Sequence, residues 1–246
     1  MNIITVFKES VSAIKRNPLL FVPMLASLIF SFFLSLIFVG STAPMMSQFS
    51  GEQFAANPEQ VLMGFGAAAG GAFIVYLITS FISFLAHGMT VVMADTALKG
   101  EPATLTNGWQ RLVSRIIPLV IGTILVVVII MFATLLLILP GLIAAFFLMF
   151  TLISVMLDGF SPGKAIGQSF KTVSKNFGAV FVTFLIIVGL TLPVMLLNFV
   201  LVFIPVLGAI LSTLLFSVFL AFVTVFLVRV YHSLDLTTAT SPDVEV

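Results

Sequence analysis

The chain has 246 residues, 61% of them hydrophobic and only 8% charged, with a formal net charge of +1 and a mean hydropathy of +1.29. Soluble domains carry about a quarter charged residues, so a water-soluble globular protein is excluded, and apolar runs that are continuous rather than alternating argue against a β-barrel. The absence of cysteine removes disulfides, thiolate metal sites and cysteine nucleophiles. This leaves an all-α polytopic membrane bundle, in which the placement of the few charges says more than their sum.

Residues 3–16 put Ile3, Ile4, Val6, Phe7, Val11 and Ile14 on one side of a helical wheel, with Lys8, Glu9, Ser12, Lys15 and Arg16 on the other. The stretch lacks the build of a cleaved signal peptide and reads as an amphipathic helix lying in the headgroup plane. Asn17-Pro18 ends it, and a first span covers residues 19–39. The polar loop Gly40 to Gln60 that follows contains Glu52 and Glu59 but no Lys or Arg. The second span, residues 61–94, exceeds the roughly 20 residues of a perpendicular crossing, so it is expected to tilt or project. On it, Gly66, Gly70 and Gly71 form a small-xxx-small face that would let a second helix approach closely.

A second in-plane helix, residues 104–116, places Leu105, Trp109, Leu112, Val113 and Ile116 opposite Arg111 and Arg115, and Trp109 suits an interfacial depth. Spans three (119–138) and four (142–157) meet at Leu139-Pro140-Gly141, a turn short enough to force an antiparallel hairpin. After Asp158-Gly159 a third in-plane helix, residues 161–176, opens with Ser161 as N-cap and Pro162 at the first helical position. Ile166, Phe170, Val173 and Phe177 are expected to face lipid, and Lys164, Gln168, Lys171 and Lys175 water. Spans five (179–202) and six (206–230) turn at Ile204-Pro205, and Pro193 is expected to kink the fifth. Residues 1–232 form one integral membrane domain, with 233–246 a disordered tail.

Six spans bring both termini to one side together with all ten Lys and Arg, while the outer loops hold only Glu52 and Glu59. The positive-inside rule then puts both termini in the cytoplasm. An in-plane helix, a span, a Pro-bearing outer turn and a second span recur three times, giving three hairpins.

Asn17-Pro18 entering span one, Leu139-Pro140-Gly141 between spans three and four, Leu157-Asp158-Gly159 leaving span four, and Ala165-Ile166 with Ser169-Phe170 beyond it carry a resemblance. The chain resembles a broad prokaryotic group that includes the YciC-like membrane proteins and the membrane domain attached to some glycerophosphodiester phosphodiesterases. The similarity is clearest from Gly108 to Gly178. It implies a six-helix bundle in a prokaryotic plasma membrane; the phosphodiesterase domain of some relatives is absent, and its activity is not implied.

Residues able to carry chemistry are few. No Asp, Glu, Lys or Arg lies centrally in a span, which removes the usual basis for proton pumping or charge-relay transport. His87, one turn after Ser83, admits three readings: a helix-to-helix hydrogen bond, a substrate contact, or part of a nucleophilic pair that would still need an oxyanion hole and an orienting partner. Asn198 in span five admits the first two. Two distant histidines make no metal centre, and neither a phosphate-binding loop nor a His-Glu-x-x-His motif occurs, so no cofactor is expected. Lys8, Lys15, Arg16, Arg111, Arg115, Lys164, Lys171 and Lys175 give the strongest functional signal, because bases beside an anionic leaflet bind acidic headgroups. The expected function is non-enzymatic organisation of anionic lipids, a membrane-protein partner or further copies of the chain; the alternative is a carrier of a hydrophobic or lipid-like molecule through Gly-rich span two, kinked span five and His87. Nothing points to nucleic acid.

Overall fold

A computed structural model describes residues 2–46, 57–204 and 207–239. The helices are α1 (Ile3–Arg16), α2 (Val22–Met46) after a 3-10 turn Pro18–Phe21, α3 (Pro58–Leu98), α4 (Leu105–Ser114), α5 (Ile116–Leu136) and α6 (Ile138–Leu148). They continue with the short α7 (Thr151–Ile153), a π-helical turn Ser154–Asp158, α8 (Pro162–Lys175), α9 (Phe177–Leu201) and α10 (Leu207–Ala239). Six stretches are long and apolar enough to cross a membrane: Pro18–Pro44, Pro58–Leu98, Ile116–Leu136, Ile138–Asp158, Phe177–Leu201 and Leu207–Leu234. That is the composition of a multi-pass membrane protein.

Local chemistry explains the boundaries. The Asn2 side chain accepts from the Ile4 and Thr5 amides and caps α1, and Pro18 ends it, since proline cannot continue the hydrogen-bond ladder. Thr104 caps α4 through the Asn107 amide at 3.3 Å. Ser161 occupies the N-cap of α8 in extended conformation, but its hydroxyl makes no capping bond; Pro162 supplies the preset φ.

Several boundaries differ from the sequence expectation. The polar loop was placed from Gly40, yet α2 continues to Met46, with the Ser41 and Thr42 hydroxyls turned back onto the Phe38 carbonyl at 2.7 and 2.9 Å. Such back-bonding satisfies a small polar residue inside a helix. The turn expected at Leu139-Pro140-Gly141 lies two residues earlier: Leu137 alone is extended (φ −166, ψ 154), while Pro140 and Gly141 sit in the first turn of α6. A first-turn proline costs no helical bond, and Gly141 is demanded by proximity, because a Cβ there would overlap the Thr134 side chain. Pro193, where a kink was expected, lies inside α9 (Phe177–Leu201). At the C-terminus, helix α10 persists to Ala239, beyond the expected start of a tail at 233, held by burial of Val230, Tyr231 and Leu234. Residues 47–56 with Glu52, the Pro205 turn and the tail from 240 lie outside the described residues.

The chain divides into two compact units, Ala26–Phe84 and the remainder. In the smaller unit the Ser27 and Ser83 hydroxyls hydrogen-bond at 3.1 Å, and a Cβ on Gly71 would come within 2.7 Å of the Phe38 ring. Among the described residues, nothing lies within 4 Å of where a Cβ would stand on Gly66 or Gly70, the residues expected to form the packing face. Around the helix Gly70 lies one step of about 100° from Gly71, and Gly66 about 140° from it.

The larger unit has a core at one end only. Val91 to Ala94, Leu112, Phe150, Val155, Met156, Val173, Val225, Phe226 and Tyr231 are buried there. Toward the other end, Leu135 to Leu139 are 69–81% exposed. Exposed aliphatics at this density have no place in water, whereas in hydrocarbon they carry no penalty.

Candidate functional site

The core end of the larger unit also gathers its polar and charged side chains. The three short helices α1, α4 and α8 dock there, each through a narrow stripe. From α1, Val6, Ser10 and Ala13 are buried, Phe7 meets the Phe222 and Phe226 rings edge-on at 5.3 and 6.0 Å, and Glu9 pairs with Arg229 at 2.5 Å. On α4, buried Gly108 lies so close to Met89 and Met93 that a Cβ would come within 3.0 Å of either, and Leu112 is 1% exposed. Asn17 ties the two helices by accepting from the Ala103 amide at 3.5 Å.

The third helix corrects an expectation. Val173 was expected to face lipid, but it is fully buried with Ala165, Ser169 and Thr172, while Phe170 is 54% exposed and stacks on Phe147 at 4.7 Å. The protein-facing stripe of α8 is therefore made of small and hydroxyl residues. Small side chains let the helix come close, and Ser169 exploits the approach: its hydroxyl accepts from the Phe150 amide at 3.1 Å and donates to the Phe147 carbonyl at 2.8 Å. Those two groups flank Met149-Phe150, where the fourth apolar stretch breaks between α6 and α7. An interrupted helix in an apolar region needs such substitute partners.

Just beyond, the π-helical turn ends at Gly159 in the left-handed region (φ +71). A side chain at Gly159 would collide with the Arg115 guanidinium, which donates to the Gly159 carbonyl at 3.1 Å; Arg111 reaches the Leu157 carbonyl at 3.4 Å. Both arginines thus satisfy carbonyls at the C-terminal end of that stretch, where positive charge is favoured. Buried Tyr231 shares its hydroxyl between Ser154 at 2.9 Å and the Asp158 carboxylate. Asp95 pairs with Lys99 at 2.8 Å and lies 3.2 Å from His232 Nε2. Asp95, Asp158 and His232 each have a partner from another part of the chain, Asp95 and His232 one another and Asp158 the Tyr231 hydroxyl.

Lys8, Lys15, Arg16, Arg111, Lys164, Lys171 and Lys175 are exposed, and among the described residues none of them forms an ion pair. Glu9 and Asp95, by contrast, are engaged by Arg229 and by Lys99 and His232. Among the described residues, this end of the larger unit therefore presents more unpaired bases than acids, with Glu101 the exposed acid beside them.

The intramembrane candidates are separate from this cluster. His87 Nδ1 lies 3.4 Å from the Thr224 hydroxyl, joining α3 to α10, whereas Ser83 is engaged with Ser27. Asn198 accepts from the Ser212 hydroxyl, linking α9 to α10. These contacts are helix-to-helix hydrogen bonds. No group of three or more His, Asp or Glu that could hold a metal occurs among the described residues.

No protein-family model, no curated protein and no solved structure matches this chain.

Proposed function

We propose that this is a non-enzymatic plasma-membrane protein that organises anionic lipids, or a membrane-protein partner bearing acidic groups, through the basic faces of α1, α4 and α8. The observation that carries the proposal is the set of seven exposed bases that form no ion pair among the described residues, at the end of the larger unit where Glu9 and Asp95 are already engaged. A surface built in this way offers cationic donors to outside anions instead of cancelling them internally. In the same proposal that end faces the cytoplasm, where the positive-inside rule places such residues, and the helices lie amphipathically in the headgroup plane. Membership of the YciC-like group belongs to the proposal as well, carried by Asn17-Pro18, Leu139-Pro140-Gly141 and Leu157-Asp158-Gly159.

Each base near an anionic leaflet contributes about 1 kcal/mol. Replacing Lys164, Lys171 and Lys175 by Gln therefore removes up to about 3 kcal/mol of headgroup attraction, on the order of a hundredfold in lipid retention. Gentle extraction followed by mass spectrometry of retained lipid measures this. Equal anionic-lipid enrichment in the parent and the triple variant would sink the proposal.

A second reading, a carrier of a lipid-like molecule, is favoured by one feature: the interruption of the fourth apolar stretch at Met149-Phe150 and its π-helical end. Discontinuous membrane helices are characteristic of substrate and ion sites in transporters. Flux of a fluorescent lipid across proteoliposomes that is lost in a His87→Ala variant with unchanged thermal stability would move the assignment to it.

A further inference from the structure

The connection between α5 and α6 differs from a surface loop in every respect. The two legs, Ile116–Leu136 and Ile138–Asp158, are each 21 residues long and are joined by the single extended residue Leu137. Their far ends are tied at one level by the Arg115 bond to the Gly159 carbonyl. From Ile116 to Phe150 the only polar side chains are Thr123 and Thr134, and the Thr134 hydroxyl is turned back onto the Ile130 carbonyl at 2.7 Å. The backbone at the turn is paired locally too, the Leu137 amide to Ala133 at 3.2 Å and the Gly141 amide to Leu137 at 3.4 Å, while Pro140 has no amide hydrogen to satisfy. The connection between α2 and α3, by contrast, contains Ser47, Gln48, Glu52, Gln53 and Asn57.

Length decides where such a turn can lie. Twenty-one residues at 1.5 Å per residue reach about 31 Å, against about 30 Å of hydrocarbon and 40–45 Å for the bilayer with its headgroups. An average tilt of about 20° shortens the reach by a further ~2 Å. Starting from polar Arg115 and Asp158 at one interface, the hairpin spends its length inside the hydrocarbon and has no residues left to cross the opposite headgroup layer.

We propose that the α5–α6 turn, Leu135 to Leu139, ends beneath the headgroups of the far leaflet and packs against its acyl chains without reaching water. Its partner is thus the hydrocarbon of that leaflet, and the five large, 69–81% exposed side chains form the contact. The inference rests on the multi-pass reading and on the basic end lying at the opposite interface.

The chain has no cysteine, so single-cysteine variants report cleanly. Leu137→Cys, with Leu139→Cys as a second position should the first fail to insert, is exposed to a charged, membrane-impermeant maleimide in right-side-out and in inverted vesicles, alongside Glu59→Cys and Lys164→Cys. The turn positions are expected to react at least tenfold more slowly than either control from both faces, and fully once dissolved in SDS. Reaction at the Glu59→Cys rate from one face, with the two controls labelling from opposite faces, overturns the proposal. If both controls label from the same face, it is the underlying topology that fails, a result recorded independently of the turn.

Discussion

Ser169 illustrates how a single hydroxyl can hold an interrupted helix. It is fully buried, accepting from one side of the Met149-Phe150 break and donating to the other. Ser169→Ala leaves both backbone groups without that partner, and an unmade buried hydrogen bond costs about 1–3 kcal/mol. The expected outcome is a lower thermal midpoint in detergent, followed through Trp109 fluorescence; a midpoint equal to the parent would show that the break is satisfied in another way. Glycines separate just as sharply. Gly141→Ala is expected to destabilise the protein because the new methyl meets Thr134, including its Cα at 3.0 Å, whereas Gly66→Ala meets nothing within 4 Å among the described residues. Comparing the two thermal midpoints checks this. From sequence Gly66 read as a packing face on span two and Gly141 as part of a turn, and neither reading reports which glycine is approached, since that depends on the neighbouring helix.

At the level of elements, the apolar stretches were legible because hydrocarbon as a solvent demands long, uninterrupted apolar helices, and Asn17-Pro18 and Ser161-Pro162 marked real helix ends. The docking of α1, α4 and α8 was not legible. In α8 the buried stripe Ala165, Ser169, Thr172 and Val173 is mostly small or hydroxylated, so a hydropathy wheel assigns its polar members to water. Likewise the Glu9 to Arg229 pair joins residues 220 positions apart, and no local periodicity reports such a partner. Both members are partly exposed, Arg229 at 27% and Glu9 at 43%, so the coupling should be small. A double-mutant cycle with Glu9→Gln and Arg229→Gln is expected to return no more than about 1 kcal/mol, and a larger value would mean that the pair is shielded by lipid or partner. Tyr231→Phe acts on different elements, removing a hydroxyl shared between Ser154 and Asp158. With Ser154 fully buried, a loss of about 1–3 kcal/mol is expected. Retained stability in equilibrium unfolding would argue that the π-helical turn is held by packing alone.

For the whole molecule, the proposed headgroup recognition is electrostatic and must therefore obey screening. The Debye length falls from about 10 Å at 0.1 M salt to about 3 Å at 1 M, so exposed Lys8, Lys15, Arg16, Arg111, Lys164, Lys171 and Lys175 should lose most of their hold on anionic lipid over that range. Arg115, half-buried and bonded to the Gly159 carbonyl, should not. A protein that merely fixes its own topology with these bases would retain lipid indifferently to headgroup charge, because orientation is set once, at insertion. A protein that organises lipid should show anionic enrichment that declines steeply with salt in the parent and shallowly in the Lys164, Lys171, Lys175 triple Gln variant. The difference between the two slopes, measured on protein reconstituted with equal zwitterionic and anionic lipid, separates recognition from anchoring; identical slopes would leave the basic faces with anchoring alone.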